Sequence, residues 1–255
     1  MLELIGGLPP SLSINAALFL MGASFVSSFI TVAFGIGGGA LLLAIMASLV
    51  PPIALIPVHG VVQLGSNLVR ASMLRRAIHW PVVPLFVLGA LGGVVLGGVV
   101  AIDLSPEMVQ IGIGAFILWT IFAKPPAWFA RWPALIGVLS SFLTMFFGAT
   151  GVFVAGFVKS LGLDRHAHVA THATFMSMQH GLKVLVFGLL GFAFGPWVMV
   201  IFGLIAAGAL GTWLGKRVLN RASNPGFQRA LNIVLCLIAM RLIVAALWPM
   251  FFAAS

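Results

Sequence analysis

The stretch SSFITVAFGIGGG at residues 27–39 returns as SSFLTMFFGATGV at residues 140–152, at an offset of 113. Ser27, Ser28, Thr31, Gly35 and Gly38 fall on Ser140, Ser141, Thr144, Gly148 and Gly151. The register runs on without a gap to His59 on His172 and Arg70 on Lys183. Further along, the offset becomes 119, where Gly89-Ala90-Leu91-Gly92 matches Gly208-Ala209-Leu210-Gly211 and Ser105-Pro106 lies opposite Asn224-Pro225. Two Leu-rich helices resemble each other by default, but hydroxyl, glycine and histidine matches held over residues 27–70 do not arise that way. The chain reads as an internal duplication, roughly 10–123 and 130–250.

Composition says where such a chain folds. Of 255 residues, 62% are apolar and 7% are Asp, Glu, Lys or Arg. Soluble domains hold about 45–50% and about 25%, so a soluble domain is excluded. High hydrophobicity excludes a disordered chain as well. A mean hydropathy of +1.20 over the whole length predicts an all-α polytopic membrane protein, with about 8–10 hydrophobic segments at about 20 residues per span. Barrel strands would alternate apolar and polar residues, whereas these runs are apolar on both parities. The net charge of +9 reads as Lys and Arg in cytoplasmic loops, with the lipid bilayer and no nucleic acid as partner. A lone Cys236 builds neither a disulfide nor a thiolate metal site. Glu3 and the lack of a basic leading stretch do not read as a cleaved signal peptide.

Charge also orients the halves. Arg75-Arg76, the connector with Lys124 and Arg131, and Lys216-Arg217 with Arg221 mark cytoplasmic loops. The loop holding Asp103 and Glu107 has no Lys or Arg and is expected outside, yet it is the counterpart of the Lys216–Arg221 loop. Likewise the basic Arg75-Arg76 region corresponds to an uncharged stretch at 188–195. Equivalent loops on opposite sides imply two inverted-topology repeats, 1–125 and 126–255, in one membrane unit with both termini external. Many secondary transporters are built this way. Residues 82–101, 106–123, 196–215 and 225–247 are full spans. The pieces 38–50 and 151–161 reach only about 20 and 16 Å at 1.5 Å per residue, against a core of about 30 Å. A hairpin bending at membrane depth, one from each side, fits them; ten short spans would give the same end orientations.

The bends are Gly35, Gly37, Gly38 and Gly39 in one half and Gly148, Thr150 and Gly151 in the other. Helices starting near Ala40 and Val152 would aim free N–H groups and a positive dipole end into the bend, which is an anion site by backbone alone. Isolated glycines such as Gly89, Gly92 and Gly93 read instead as helix packing. Ser27, Ser28 and Thr31, with Ser140, Ser141 and Thr144, precede the bends. They either donate to an anion or back-bond to the preceding turn. His59, Gln63, Asn67 and Arg70 form one helical stripe, repeated as His172, Gln179, His180 and Lys183. Ionisable residues inside a span mark a pathway by default, although Arg70 can also snorkel toward Arg75 and Arg76. His59 and His172 have two roles open, proton coupling or a neutral hydrogen bond.

Other candidates are bland. His166 and His168 near Asp164 stand two apart and share no helical face, so a loop is simpler than a metal site. No HExxH, P-loop or triad is present, and four acidic residues leave little for acid–base catalysis. The chain is expected to be no enzyme and to need no metal or cofactor. Trp80, Trp128, Trp132, Trp197 and Trp248 fall near segment ends, as interface anchors do. Arg229 and Arg241 read as interface or packing residues, with Arg229 also able to point inward.

The Ser27–Gly39 and His59–Arg70 stretches, their second copies and the Pro51-Pro52 turn resemble the TauE/SafE family, also called the sulfite exporter or 4-toluene sulfonate uptake family. The likeness covers nearly the whole chain. It implies a bacterial inner-membrane transporter of sulfite, sulfonates or organosulfonates such as sulfoacetate, moved outward. The residues agree on the sign of the cargo: acidic groups are nearly absent, while glycine bends, hydroxyls, Arg70 and Lys183 favour an anion. A passive anion channel, or a carrier of another small carboxylate or sulfur cargo, is the alternative.

Overall fold

The computed structural model describes residues 7–34, 37–100, 105–122, 131–148, 150–219 and 225–252. Gly35, Asp103, Lys124, Trp128 and Arg221 lie outside the described residues. Ten α-helices and no strand are found among those described: α1 (Ile14–Phe34), α2 (Gly38–Met46), α3 (Pro52–Met73), α4 (Val83–Val100), α5 (Pro106–Phe122), α6 (Pro133–Phe147), α7 (Gly151–Ser160), α8 (Arg165–Leu189), α9 (Val198–Val218) and α10 (Pro225–Phe252). Among the described residues, four helical stretches are long and apolar enough to cross a membrane: Ile14–Phe34, Pro52–Met73, Trp80–Val100 and Gly195–Val218. The protein is an all-α, multi-pass membrane protein.

Local chemistry sets the helix limits. Pro52 and Pro133 open α3 and α6, where a missing N–H costs nothing. Gly37 (φ 104°) precedes α2 and Gly148 (φ 66°) ends α6. Left-handed backbone of this kind favours glycine, so both bends fall where the paired glycines predict them. With 9 and 10 residues, α2 and α7 extend about 14 and 15 Å and cannot cross a bilayer core.

Packing crosses between the halves. α1 lies chiefly against α9, α4 against α6, α3 against α8, and α5 against α10. Glycine lets the backbones touch in the first two pairs. A Cβ at Gly89 or Gly93 would strike the carbonyls of Ala134 or Val138 on α6, and one at Gly211 would strike Phe25 O on α1. Gly92, by contrast, faces open space. Without a hydrophobic drive between helices in lipid, such close van der Waals approach is what holds them together. Leu74, after α3, clusters with Val169 and Ala170 near the start of α8 and with Leu219 after α9. α3 and α8 therefore run antiparallel. α2 feeds the far end of α3 and α7 feeds the near end of α8, so the short helices approach the centre from opposite ends.

The same cluster gathers charge. Arg75 and Arg76 follow α3, and Lys216 donates to Met73 O at 3.2 Å. Arg165, at the start of α8, donates to Ala33 O of α1 at 3.2 Å. Arg229 is exposed, so it does not point inward. Trp80, Trp132 and Trp248 are exposed, but Trp197 is buried in the main core rather than facing outward.

Candidate functional site

Both bends open on one cavity of about 40 Å³. Gly37, Gly39 and Ala40 reach it from the start of α2, and Gly148 and Gly151 from the start of α7. The first N–H groups of a helix have no intrahelical acceptor and carry its positive dipole end. Two such ends meet here from opposite directions. Their far ends are complemented by cations: Arg241 of α10 donates to Ser48 Oγ just beyond α2 at 2.6 Å, and Lys159 lies in the last turn of α7.

α3 contributes His59, Gln63, Asn67 and Arg70 to the wall; α8 contributes His172, Met176 and His180, and α1 contributes Thr31. No carboxylate is among them. Side chains three and four apart on one helix face bond in series. Arg70 Nη1 donates to Asn67 Oδ1 at 2.8 Å, and Asn67 Nδ2 donates to Gln63 Oε1 at 3.2 Å. Arg70 Nη2 reaches Ser66 Oγ at 3.5 Å, and that hydroxyl pairs with Ser28 Oγ at 3.0 Å. Arg70 is only 2% exposed, so it belongs to the interior and not to the Arg75-Arg76 surface cluster. Its Nε has no partner among the described residues.

The two histidines do one job. His59 Nε2–H donates to Gly39 O at 3.2 Å, and His172 Nε2–H donates to Gly151 O at 3.0 Å. Each ring thereby ties a long helix to the first turn of a short one. Such a bond fixes the tautomer and the tilt of that turn.

The rest of the predicted set lies elsewhere. Gly38 presses on α1, where a Cβ would strike Ser27 O and Thr31 Oγ1, so it serves helix contact. Thr31 Oγ1 back-bonds to Ser27 O at 2.9 Å, and Ser28 joins the Ser66 pair. Ser27, Ser140, Ser141 and Thr144 are buried with hydroxyls that have no partner among the described residues. Gln179 Nε2 donates to Thr150 Oγ1 at 2.5 Å, bracing the residue that precedes α7. Lys183 sits against Gly60, outside the cavity wall.

Reading the sequence missed Met176, while Ala40 lines the cavity as the start of the short helix named above. Met176 falls on Gln63 in the 113-residue register, a signal that was available. Asp164 Oδ1 accepts from the backbone N–H groups of His166 and Ala167 at 2.8 and 3.0 Å, capping α8, so His166 and His168 stand on its first turn and not in the loop expected. No group of His, Cys, Asp or Glu is arranged to hold a metal among the described residues.

The arrangement suits one small anion. Space of this size holds about three waters, at about 10–15 Å³ each, or an oxyanion of a few heavy atoms. A family model described as Sulfite exporter TauE/SafE matches residues 20–242. No curated protein and no solved structure matches the chain.

Proposed function

We propose that this chain, which belongs to the sulfite exporter TauE/SafE family, carries small sulfur oxyanions out of a bacterial cell across the inner membrane. Membership makes it a membrane transport protein of the sulfite-exporter type. The finer reading rests on one observation: two opposed helix N-termini and Arg70 share a cavity with no carboxylate among the described residues of its wall. Backbone N–H groups and a buried guanidinium favour a negative ligand over a neutral or positive one. In this reading Gly37, Gly39, Gly148 and Gly151 present the backbone, Arg70 supplies the charge, and Thr31, Gln63, Asn67 and His180 complete the wall. His59 and His172 position the short helices. The cavity's volume supports sulfite-sized cargo over a toluene sulfonate.

Alternating access between halves 1–125 and 126–255 is the proposed mechanism. It is supported by the sequence duplication and by the opposed approach of α2 and α7. Inverted topology would let one rigid motion close one entrance while opening the other. Outward movement is supported by energetics, because each negative charge leaving gains about 2.3 kcal/mol per 100 mV of interior-negative potential. Counterflow in proteoliposomes is the test. Saturable sulfite/sulfite exchange, with net efflux that rises with clamped potential, is expected. Linear flux without counterflow would make the protein an anion channel, and voltage-independent efflux would sink the direction argued here.

A further inference from the structure

Lys183 takes the place of Arg70 in the second half, yet it does not reach the cavity. It is 0% exposed, and its Nζ has no hydrogen-bond partner among the described residues. Its chain lies on Gly60 of α3, where an added Cβ would come within 2.7 Å of Lys183 Cε and 3.4 Å of Nζ. Glycine at 60 is thus what makes room for the ammonium group. His59 and His180 are its electrostatic neighbours, and their rings meet edge-on with centroids 6.1 Å apart. Both have a buried Nδ1 without a partner among the described residues. Arg70, in turn, shares the cavity wall with His172. Each half's cation therefore has a histidine of the other half in its surroundings. α4 and α6, which also pack on α8, bring no ionisable side chain to it, and α7 and the turn after α3 carry only the cations Lys159, Arg75 and Arg76.

A buried cation with no counter-charge is costly, and nothing in the packing around Gly60 needs an amine. We propose that Lys183 is a second anion-coordinating station for the same class of small oxyanion. It is shut in this structure by the α3–α8 contact and accepts the anion when that contact parts. This rests on the anion-transport reading above. The anion would bind first at the Arg70 cavity and pass the His59–His180 pair to Lys183, so one station per half serves one access state each.

The experiment separates binding from flux. In nanodiscs, Lys183→Met should keep the sulfite-induced thermal shift of the parent while proteoliposome exchange falls about tenfold or more; Arg70→Met should lose both. A cysteine variant guards against misfolding. Lys183→Cys in a Cys236→Ser background should lose exchange, regain it after alkylation with 2-bromoethylamine, whose thioether product sulfite does not cleave, and stay inactive after alkylation with bromoethane. Recovery with both reagents would make Lys183 a packing residue, and recovery with neither would remove its charge from the mechanism; either overturns the station. Loss of the thermal shift in Lys183→Met equal to that in Arg70→Met would merge the two stations into one site. No sulfite shift or exchange in the parent protein would instead overturn the transport reading itself, and the station with it.

Discussion

α3 and α8 hold equivalent places in the 113-residue register and satisfy their polar groups unequally. Along α3, Arg70, Asn67 and Gln63 are linked in one hydrogen-bonded series, with Ser66 and Ser28 attached. Along α8 and the preceding α6, Gln179 Oε1, His180 Nδ1, Lys183 Nζ, Ser140 Oγ, Ser141 Oγ and Thr144 Oγ1 have no partner among the described residues. A satisfied buried network rigidifies, whereas an unsatisfied one stores a cost of about 1–3 kcal/mol per group that a ligand, water or movement can relieve. The first half, where Ser27 Oγ, His59 Nδ1 and Arg70 Nε are the unpartnered atoms among the described residues, is the more fully bonded frame for the cavity. The second holds the groups that gain from rearrangement.

The sharpest way to break this contrast is at the frame's cation. Arg70→Met should lower sulfite exchange by about 100-fold, a loss of about 2.7 kcal/mol. Arg76→Met, on the exposed cluster after α3, should leave exchange unchanged. Equal losses in proteoliposomes would show that the cavity is not the site.

Next come Gly38 and Gly151, equivalent in sequence and unlike in surroundings. Gly38→Ala drives a Cβ into Ser27 O, backbone that cannot yield. It should cost about 1–3 kcal/mol in detergent unfolding. Gly151→Ala meets nothing nearer than His172 Nε2 at 3.6 Å, so it should fold normally. Its methyl group occupies the cavity, and sulfite affinity by thermal shift should fall about tenfold. Destabilisation of both to the same degree would erase the difference between the bends.

The smallest effect concerns two hydroxyls. Thr31→Val removes the bond to Ser27 O and should cost about 1 kcal/mol. Thr144→Val removes an unpartnered buried hydroxyl, and unfolding should show it neutral or stabilised. A matching loss at Thr144 would mean that the second half is as well satisfied as the first.

Much of this was legible beforehand. Gly37 and Gly148 announced the bends, because a turn inside an apolar run needs backbone that glycine tolerates best. The stripe His59–Arg70 announced one face of a helix, because i, i+4 spacing does so in any helix. Nothing local told Gly38 from Gly151, since the distinction lies in whether α1 or α8 stands opposite. Nor did spacing tell Thr31, which reaches the cavity wall, from Ser28, which faces α9 and α3.

The sequence by itself determined the membrane class, the duplication, the two bends and the polar stripes. Each depends on composition or on short-range periodicity, and those are properties of a chain before it packs. Only the tertiary structure decided that both bends meet in one cavity, that Arg70 lines it while Lys183 is shut against Gly60, and that Trp197 is core. Those outcomes depend on which helix from the other half packs alongside, through contacts between residues far apart in the chain. A helix's own pattern fixes the direction of a side chain and leaves open what it meets.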